Sequence, residues 1–256
     1  MYWGNPGAAS VNDGTVFDTA AGYQGVWHLG ESGDGSAGDA TVNRYDGISP
    51  DTAVPQVGEG VVGNCRVFDG VDDFITMPNT ADGKLNIPDG GYYTVCAWVY
   101  IDSFDNASHC IVSKGYEQYY LRFTYISKNL PAATPQWEFV EFSEADKWRT
   151  STGTASSGQW TLVAGVRQGE KQFLYRNGEL VDSTVDAWQN TVSRNTGNDL
   201  TIGRFVKAVT VPINEGYCHF SGRIDEVRII SSAQSADWVR LCYMNQRPDD
   251  RLVVFR

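Results

Sequence analysis

From Tyr23 onward the chain divides into short runs dense in β-branched and aromatic residues, each bounded by Gly, Asp, Ser or Asn. That is the pattern of strands separated by turns. The clearest run extends from Tyr92 to Ile101 and stops at Asp102-Ser103. Comparable runs span Gln118 to Ile126, Gln136 to Phe142, Gln159 to Val166 and Leu200 to Phe205. Lys171 to Arg176 faces Glu179 to Asp182 across Asn177-Gly178, a dipeptide that accepts positive φ and so predicts a two-residue hairpin turn. No amphipathic helices alternate with these strands, as a parallel sheet would require. The pattern predicts an all-β, two-sheet antiparallel sandwich. One short C-terminal helix is added by Ser235 as a cap, with Trp238, Leu241, Cys242 and Asn245 on one face and Arg247-Pro248 as the stop. Trp238 is its expected anchor. Residues 1–22 lack periodicity and read as a linker or the tail of a preceding domain, which leaves 23–256 as one domain without internal repeats.

Charge narrows the partners. Twenty Lys and Arg against 31 Asp and Glu give a net charge of −11, which repels phosphate backbones and anionic membranes. Nucleic acid is therefore not an expected partner, and no apolar run approaches the ~18 residues of a membrane span. Acidic side chains in loops do suit Ca²⁺, which takes oxygen ligands. The five cysteines, Cys65, Cys96, Cys110, Cys218 and Cys242, contain no CxxC pair, which argues against zinc or iron–sulfur sites. They allow at most two disulfides, and the sequence does not say which. Cys96, within the apolar Thr94 to Trp98, reads as a buried free thiol.

Several motifs occur in a familiar order. Gly25-Val26-Trp27-His28-Leu29 precedes Val67-Phe68-Asp69-Gly70 and Asp72-Asp73-Phe74-Ile75. Tyr93 to Val99, Ile111-Val112-Ser113-Lys114-Gly115 and Trp160 to Val166 follow, then Leu174 to Leu180, Gly222 to Ile229 and Ser235 to Trp238. From about 23 to 247 the chain thus resembles the laminin-G-like, concanavalin A-like lectin/glucanase domains of bacterial secreted or surface proteins. Tyr2-Trp3-Gly4-Asn5-Pro6 resembles the end of an extracellular domain that commonly precedes them. The resemblance implies a jelly-roll sandwich in an extracellular or cell-surface module of a larger protein. It also implies a structural Ca²⁺ in many members and a carbohydrate site in some. Asp225 stands at the family's metal position, and Asp39 lies in a segment similar to its early Asp-rich loop, with Glu31, Asp34 and Asp46 in reserve.

Catalysis finds little support in the residues. Sandwich glucanases carry Glu-x-Asp-x-x-Glu or a bulged variant on one strand, so that the carboxylates share a cleft. No such string is present. Glu138 and Glu141 are three apart and should occupy opposite faces, and Asp72 and Asp73 should diverge. His28 is expected to be a packed, hydrogen-bonded residue, and His109 and His219 show no readable nucleophile. A sugar site instead needs an aromatic face beside polar groups. Trp27, Trp98 and Trp160 match core positions. Trp148 and Trp188 stand among polar residues in expected loops, and Tyr116 and Tyr119 flank a strand start. These four are the expected ligand-binding residues. The sequence therefore points to a non-catalytic module that binds glycan, a polysaccharide above all. The alternatives are a protein-interaction or spacer module of an adhesin, and a sandwich hydrolase with dispersed carboxylates.

Overall fold

The computed structural model describes residues 16–33, 35–86, 91–105, 107–115, 118–124, 134–143, 147–185, 197–205 and 218–247, with backbone alone at 142–143 and 147–151. In chain order its strands are β1 (Tyr23–Trp27), β2 (Ser36–Ala37), β3 (Gly47–Ile48), β4 (Gln56–Glu59), β5 (Asn64–Asp69), β6 (Ile75–Met77), β7 (Tyr92–Tyr100) and β8 (His109–Ser113). They continue as β9 (Tyr119–Thr124), β10 (Gln136–Ser143), β11 (Lys147–Thr154), β12 (Trp160–Gln168), β13 (Lys171–Arg176), β14 (Glu179–Val185), β15 (Leu200–Ile202) and β16 (Ser221–Ile230). One sheet runs β14-β13-β12-β7-β16-β5-β4, with β1 also paired to β16, and the other runs β11-β10-β9-β8-β15-β6-β3-β2. All their ladders are antiparallel, and α1 (Ala236–Gln246) follows the last strand.

Period-two alternation sorts the strands between two cores. Val95, Ala97 and Val99 of β7 face the second sheet among Trp27, Leu121, Phe123, Trp137 and Phe139. Cys96 and Trp98 face the other way, beside Leu162, Ala164, Tyr175 and Val239 beneath α1. Burial on both sides explains why this segment is apolar throughout rather than alternating.

Ser235 caps α1 as expected, its Oγ accepting the Trp238 N–H at 3.1 Å. The buried face is one position off the expected one. Val239 is buried, Cys242 and Tyr243 pack beside it, and Gln246 accepts from Trp98 Nε1 at 2.9 Å, whereas Leu241 is exposed and Trp238 only partly covered. The stripe is 239, 242, 243 and 246, set by Trp98 beneath, whose ring stacks on Tyr243 at 5.6 Å and whose N–H reaches Gln246. Asn177 and Gly178 take φ of 52° and 81°, as the two-residue turn demands.

β16 changes partner along one edge. Residues 221–224 pair with β5, and 227–230 pair with β1. Its pairing with β7 shifts between Asp225 and Arg228, where Glu226 has φ 53°, so a bulge marks the handover. Phe17 bridges to Thr41 and its ring meets Tyr23, so contacts with the sandwich begin within the segment read as linker.

Candidate functional site

Strand register brings two of the four expected ligand residues, Tyr119 and Trp148, to one end of the sandwich. In the first sheet, Gln168 at the end of β12 pairs with Tyr92 at the start of β7 and Lys171 at the start of β13. Lys171 in turn pairs with Val185 at the end of β14. In the second sheet, Glu141 pairs with Tyr119, Ser113 with Tyr120, and Thr201 with Ser113. Ser143 pairs with Lys147, and Leu200 with Met77. Positions 116 and 188 lie outside the described residues, but Gly115 and Gln118 on either side of the first, and Val185 before the second, stand at this end.

A buried ionic plug joins the two sheets there. Glu141 Oε1 accepts the Tyr93 hydroxyl at 2.6 Å, and Oε2 accepts Arg167 Nη1 at 2.8 Å and Gln172 Nε2 at 3.2 Å. Burial raises the Glu141 carboxyl, against the opposing pull of Arg167 and the Tyr93 hydroxyl.

Above the plug lies a layer of amides around a lysine. Lys114, fully buried, donates through Nζ to Asn79 Oδ1 at 3.0 Å and to the Asn198 carbonyl. Burial lowers its ammonium to about 8, with Asp199 opposing. Gln118 Nε2 donates to Asn86 Oδ1 at 2.9 Å, and the Asp199 carboxylate accepts the Asn79 N–H at 2.7 Å. Gly115, at φ 90°, lets Asn198 approach: a Cβ there would stand 2.2 Å from Asn198 Nδ2. That Nδ2 is a buried donor without an acceptor among the described residues. Tyr92, about half exposed, adds an aromatic ring at the same end. Sequence reading missed Lys114, Asn198 and Tyr92 as site residues because each lies inside or beside a strand motif. The available signal was the density of Asn and Gln where strands end.

The sequence-predicted residues fare differently. Tyr119 is buried, its hydroxyl donating to the Leu85 carbonyl at 2.9 Å and its ring 5.2 Å from Tyr93, so the core takes it out of a ligand's reach. Trp148 is not in a loop but on edge strand β11, opposite Phe142. Trp188 and Tyr116 lie outside the described residues. Trp27 and Trp98 are core residues as expected, and Trp160 is partly buried.

The two metal candidates are not brought together. Asp39 Oδ1 accepts the N–H groups of Val26 and Thr41, both at 3.0 Å. Its Oδ2 accepts from the Thr41 hydroxyl at 2.8 Å and the Tyr45 N–H at 2.9 Å. Four donors fill the carboxylate and make it a brace for the β1 region. Asp225 Oδ2 accepts the Val61 and Val62 N–H groups at 2.8 and 3.1 Å, filling the gap where β16 changes partner, while Oδ1 is buried without a partner among the described residues. Burial raises this carboxyl to about 7. Asp39 is thus filled by donors from the chain, whereas Asp225 keeps one buried oxygen open. Of the reserves, Glu31 accepts the Gly38 N–H and Asp46 the Asp39 N–H, and Asp34 lies outside the described residues.

Other carboxylates also hold structure. Glu138 pairs with Arg122 at 2.5 Å while Glu141 lies in the core plug, on opposite faces as their spacing requires. Asp72 and Asp73 do not diverge: with Asp69 their oxygens lie within 4.8 Å of one another. The reason is a loop rather than a strand, in which Asp69 Oδ1 accepts the N–H groups of residues 71, 72 and 73. Burial would raise Asp69, but these three bonds hold it low. His28 is hydrogen-bonded to Glu226 at 2.5 Å, although two-fifths of its side chain is exposed. His109 places Nε2 at 2.7 Å from Asp105 and Nδ1 at 2.7 Å from the His219 carbonyl.

A laminin-G-type family model, described as the concanavalin A-like lectin/glucanases superfamily, matches residues 69–240, two thirds of the chain. Comparison with curated proteins gives no match. Among solved structures, the binding domain of Paraclostridial Mosquitocidal Protein 1 superposes with TM-score 0.66 at 12% identity, over 89% of this chain and 53% of that one. Domain 4 of an extracellular arabinanase from Geobacillus stearothermophilus, solved with arabinotriose, gives 0.59 at 17%, over 86% and 97%. The botulinum neurotoxin serotype D ligand-binding domain, solved with N-acetylneuraminic acid, gives 0.60 at 13%, over 88% and 51%. The chain spans about half the length of the toxin domains it matches. At these identities the likeness is one of fold, and with the matched family it establishes that the chain belongs to the concanavalin A-like lectin/glucanase superfamily.

Proposed function

We propose that this chain is a non-catalytic carbohydrate-binding module, and that saccharide docks at the end of the sandwich built around Lys114. The observation that carries the reading is the half-exposed Tyr92 ring at the end of the sandwich where the side chains of Asn79, Asn86 and Gln118 gather around Lys114. Amide side chains suit sugar hydroxyls, and a half-exposed tyrosine at the same end suits a pyranose face. Tyr92 supplies that ring, and the register position of Trp148 stands at the same end. The separation of Glu138 from Glu141 supports binding without hydrolysis, because the paired carboxylates of a glycosidase must face one cleft. The solved relatives that hold arabinotriose or N-acetylneuraminic acid show that this fold can carry such sites. A module of this kind belongs in a secreted or surface protein of a bacterium and takes polysaccharide as its partner.

The test is a glycan array run with and without chelator, followed by affinity electrophoresis in the polysaccharide retained. Tyr92→Ala, Trp148→Ala and Trp188→Ala should each weaken retention at least tenfold while the melting temperature stays near the parent's. Chelator should change neither retention nor melting temperature. An array without retained glycan, or full retention in the triple variant, removes the proposal.

A further inference from the structure

The second sheet carries a small apolar cluster on its outer side, separate from both cores. Cys110, Tyr120, Val140 and Phe205 form it, and Cys218 packs against it. The Cys110 N–H donates to the Cys218 carbonyl at 2.8 Å. One step along, the Ile111 carbonyl accepts the Gly203 N–H at 2.9 Å, and the Gly203 carbonyl accepts the Phe220 N–H at 2.7 Å. The start of β8 and the segment leading into β16 are thus held side by side, with the two cysteines opposed.

Two residues joined by one backbone N–H···O=C bond have Cα atoms roughly 5–6.5 Å apart. A disulfide spans roughly 4.4–6.8 Å. Both side chains also enter one cluster, so they lie on the same side of the paired backbones. We propose that Cys110 and Cys218 are a disulfide pair, closed when the chain meets an oxidising thiol couple.

Burial raises the Cys110 thiol well above its ordinary range, and the neighbouring Cys218 sulfur adds to that rise. Cys218, only half-buried, is the sulfur an oxidant reaches first. With a small disulfide such as oxidised glutathione, the Cys218 thiolate attacks one glutathione sulfur and releases the other as a thiolate. The Cys110 thiolate then attacks the Cys218 sulfur and releases the second glutathione. The two protein thiols are oxidised, the small disulfide is reduced to two thiols, and the two protons pass to them. Cys218 sits at φ 47°, a left-handed conformation that a non-glycine residue keeps only when its surroundings hold it.

The other thiols lack this arrangement. Cys242 Sγ accepts from Arg228 Nη1 at 3.7 Å, and Cys65 Sγ donates to the Glu59 carbonyl at 3.3 Å. Among the described residues no backbone bond opposes either of them to another cysteine. Cys96 shares the core beneath α1 with Cys242, but no backbone hydrogen bond among the described residues holds those two opposite each other.

The full chain, equilibrated in oxidised or reduced glutathione, alkylated and digested, provides the test. Oxidation should leave three of the five cysteines alkylated and yield one cross-linked peptide pair joining Cys110 to Cys218. Closing so long a loop should raise the melting temperature on the order of 5–10 °C. Cys218→Ser and Cys110→Ser should lose both the cross-link and the rise, while Cys96→Ser keeps both. Cys218→Ser, at the less buried position, keeps the test usable if Cys110→Ser does not fold. Five alkylated cysteines after oxidation, or a cross-link joining any other pair, would overturn the assignment.

Discussion

At the end of the sandwich that carries the Asn177-Gly178 turn, polar side chains close their own loops. Asn177 Oδ1 accepts the Leu162 N–H, Asp69 accepts three successive N–H groups, and Asp105 meets His109. At the Lys114 end they bind across elements instead: Glu141 joins β10 to β7, β12 and β13, and Lys114 joins β8 to the residues after β6 and before β15. The hairpin end is acidic and the Lys114 end amide-rich, and each keeps a buried donor without a partner among the described residues, Trp137 Nε1 at the first and Asn198 Nδ2 at the second. A group that completes a turn has no capacity left for a ligand.

Mutation of each end should sharpen that contrast. The largest effect should come from Glu141→Ala, which leaves Arg167 buried and unpaired. A loss of about 3–5 kcal/mol in urea unfolding is expected, and a loss below about 1 kcal/mol would mean the plug is not holding the sheets together. At the other end, Gly178→Val forces a β-branched residue to φ 81° and brings a Cβ within 2.8 Å of Arg240 Cα. That should cost about 2–3 kcal/mol with glycan retention intact, since the turn is far from the Lys114 end.

The smallest effect is a pH dependence. With Lys114 near 8 in the folded chain and near 10.5 unfolded, the unfolded state holds the extra proton between those values. Stability contributed by this group therefore rises from pH 8 to pH 10.5. Lys114→Met should flatten that rise by about 1–2 kcal/mol, as read from urea midpoints of both proteins at pH 7.5 and pH 10. Parallel midpoints would show an ammonium that is hydrated rather than buried.

The strands were legible wherever side chains repeat their own pattern. Tyr92–Tyr100, Lys171–Arg176 and the capped helix each announce themselves locally, through β-branched density, an Asn-Gly turn and a Ser cap. β11 was hidden, because Lys147–Thr154 is polar and small, and an edge strand needs no apolar face of its own. It follows that Trp148 was read as a loop residue. Tyr119 was misread for a different reason: its place in the core depends on Tyr93 and Leu85, both far away in sequence. The amide layer around Lys114 was equally illegible, since it joins residues from the 70s, 110s and 190s through register alone. Asp225 and Asp39 carry the family's acidic positions, yet peptide N–H groups bind them, and nothing in a sequence distinguishes a carboxylate that braces backbone from one that holds a cation.

The divided edge of β16 bears on how the chain avoids sticking to itself. Its first half is covered by β5 and its second by β1, a short strand from the opposite end of the sequence. A chain that lost β1 would keep a nearly complete sandwich with a row of unanswered backbone donors and acceptors along Val227–Ile230. Any extended segment of another molecule could zip onto that row. The five residues of β1 therefore cap an edge otherwise open to strand exchange, besides seating Trp27 in the core.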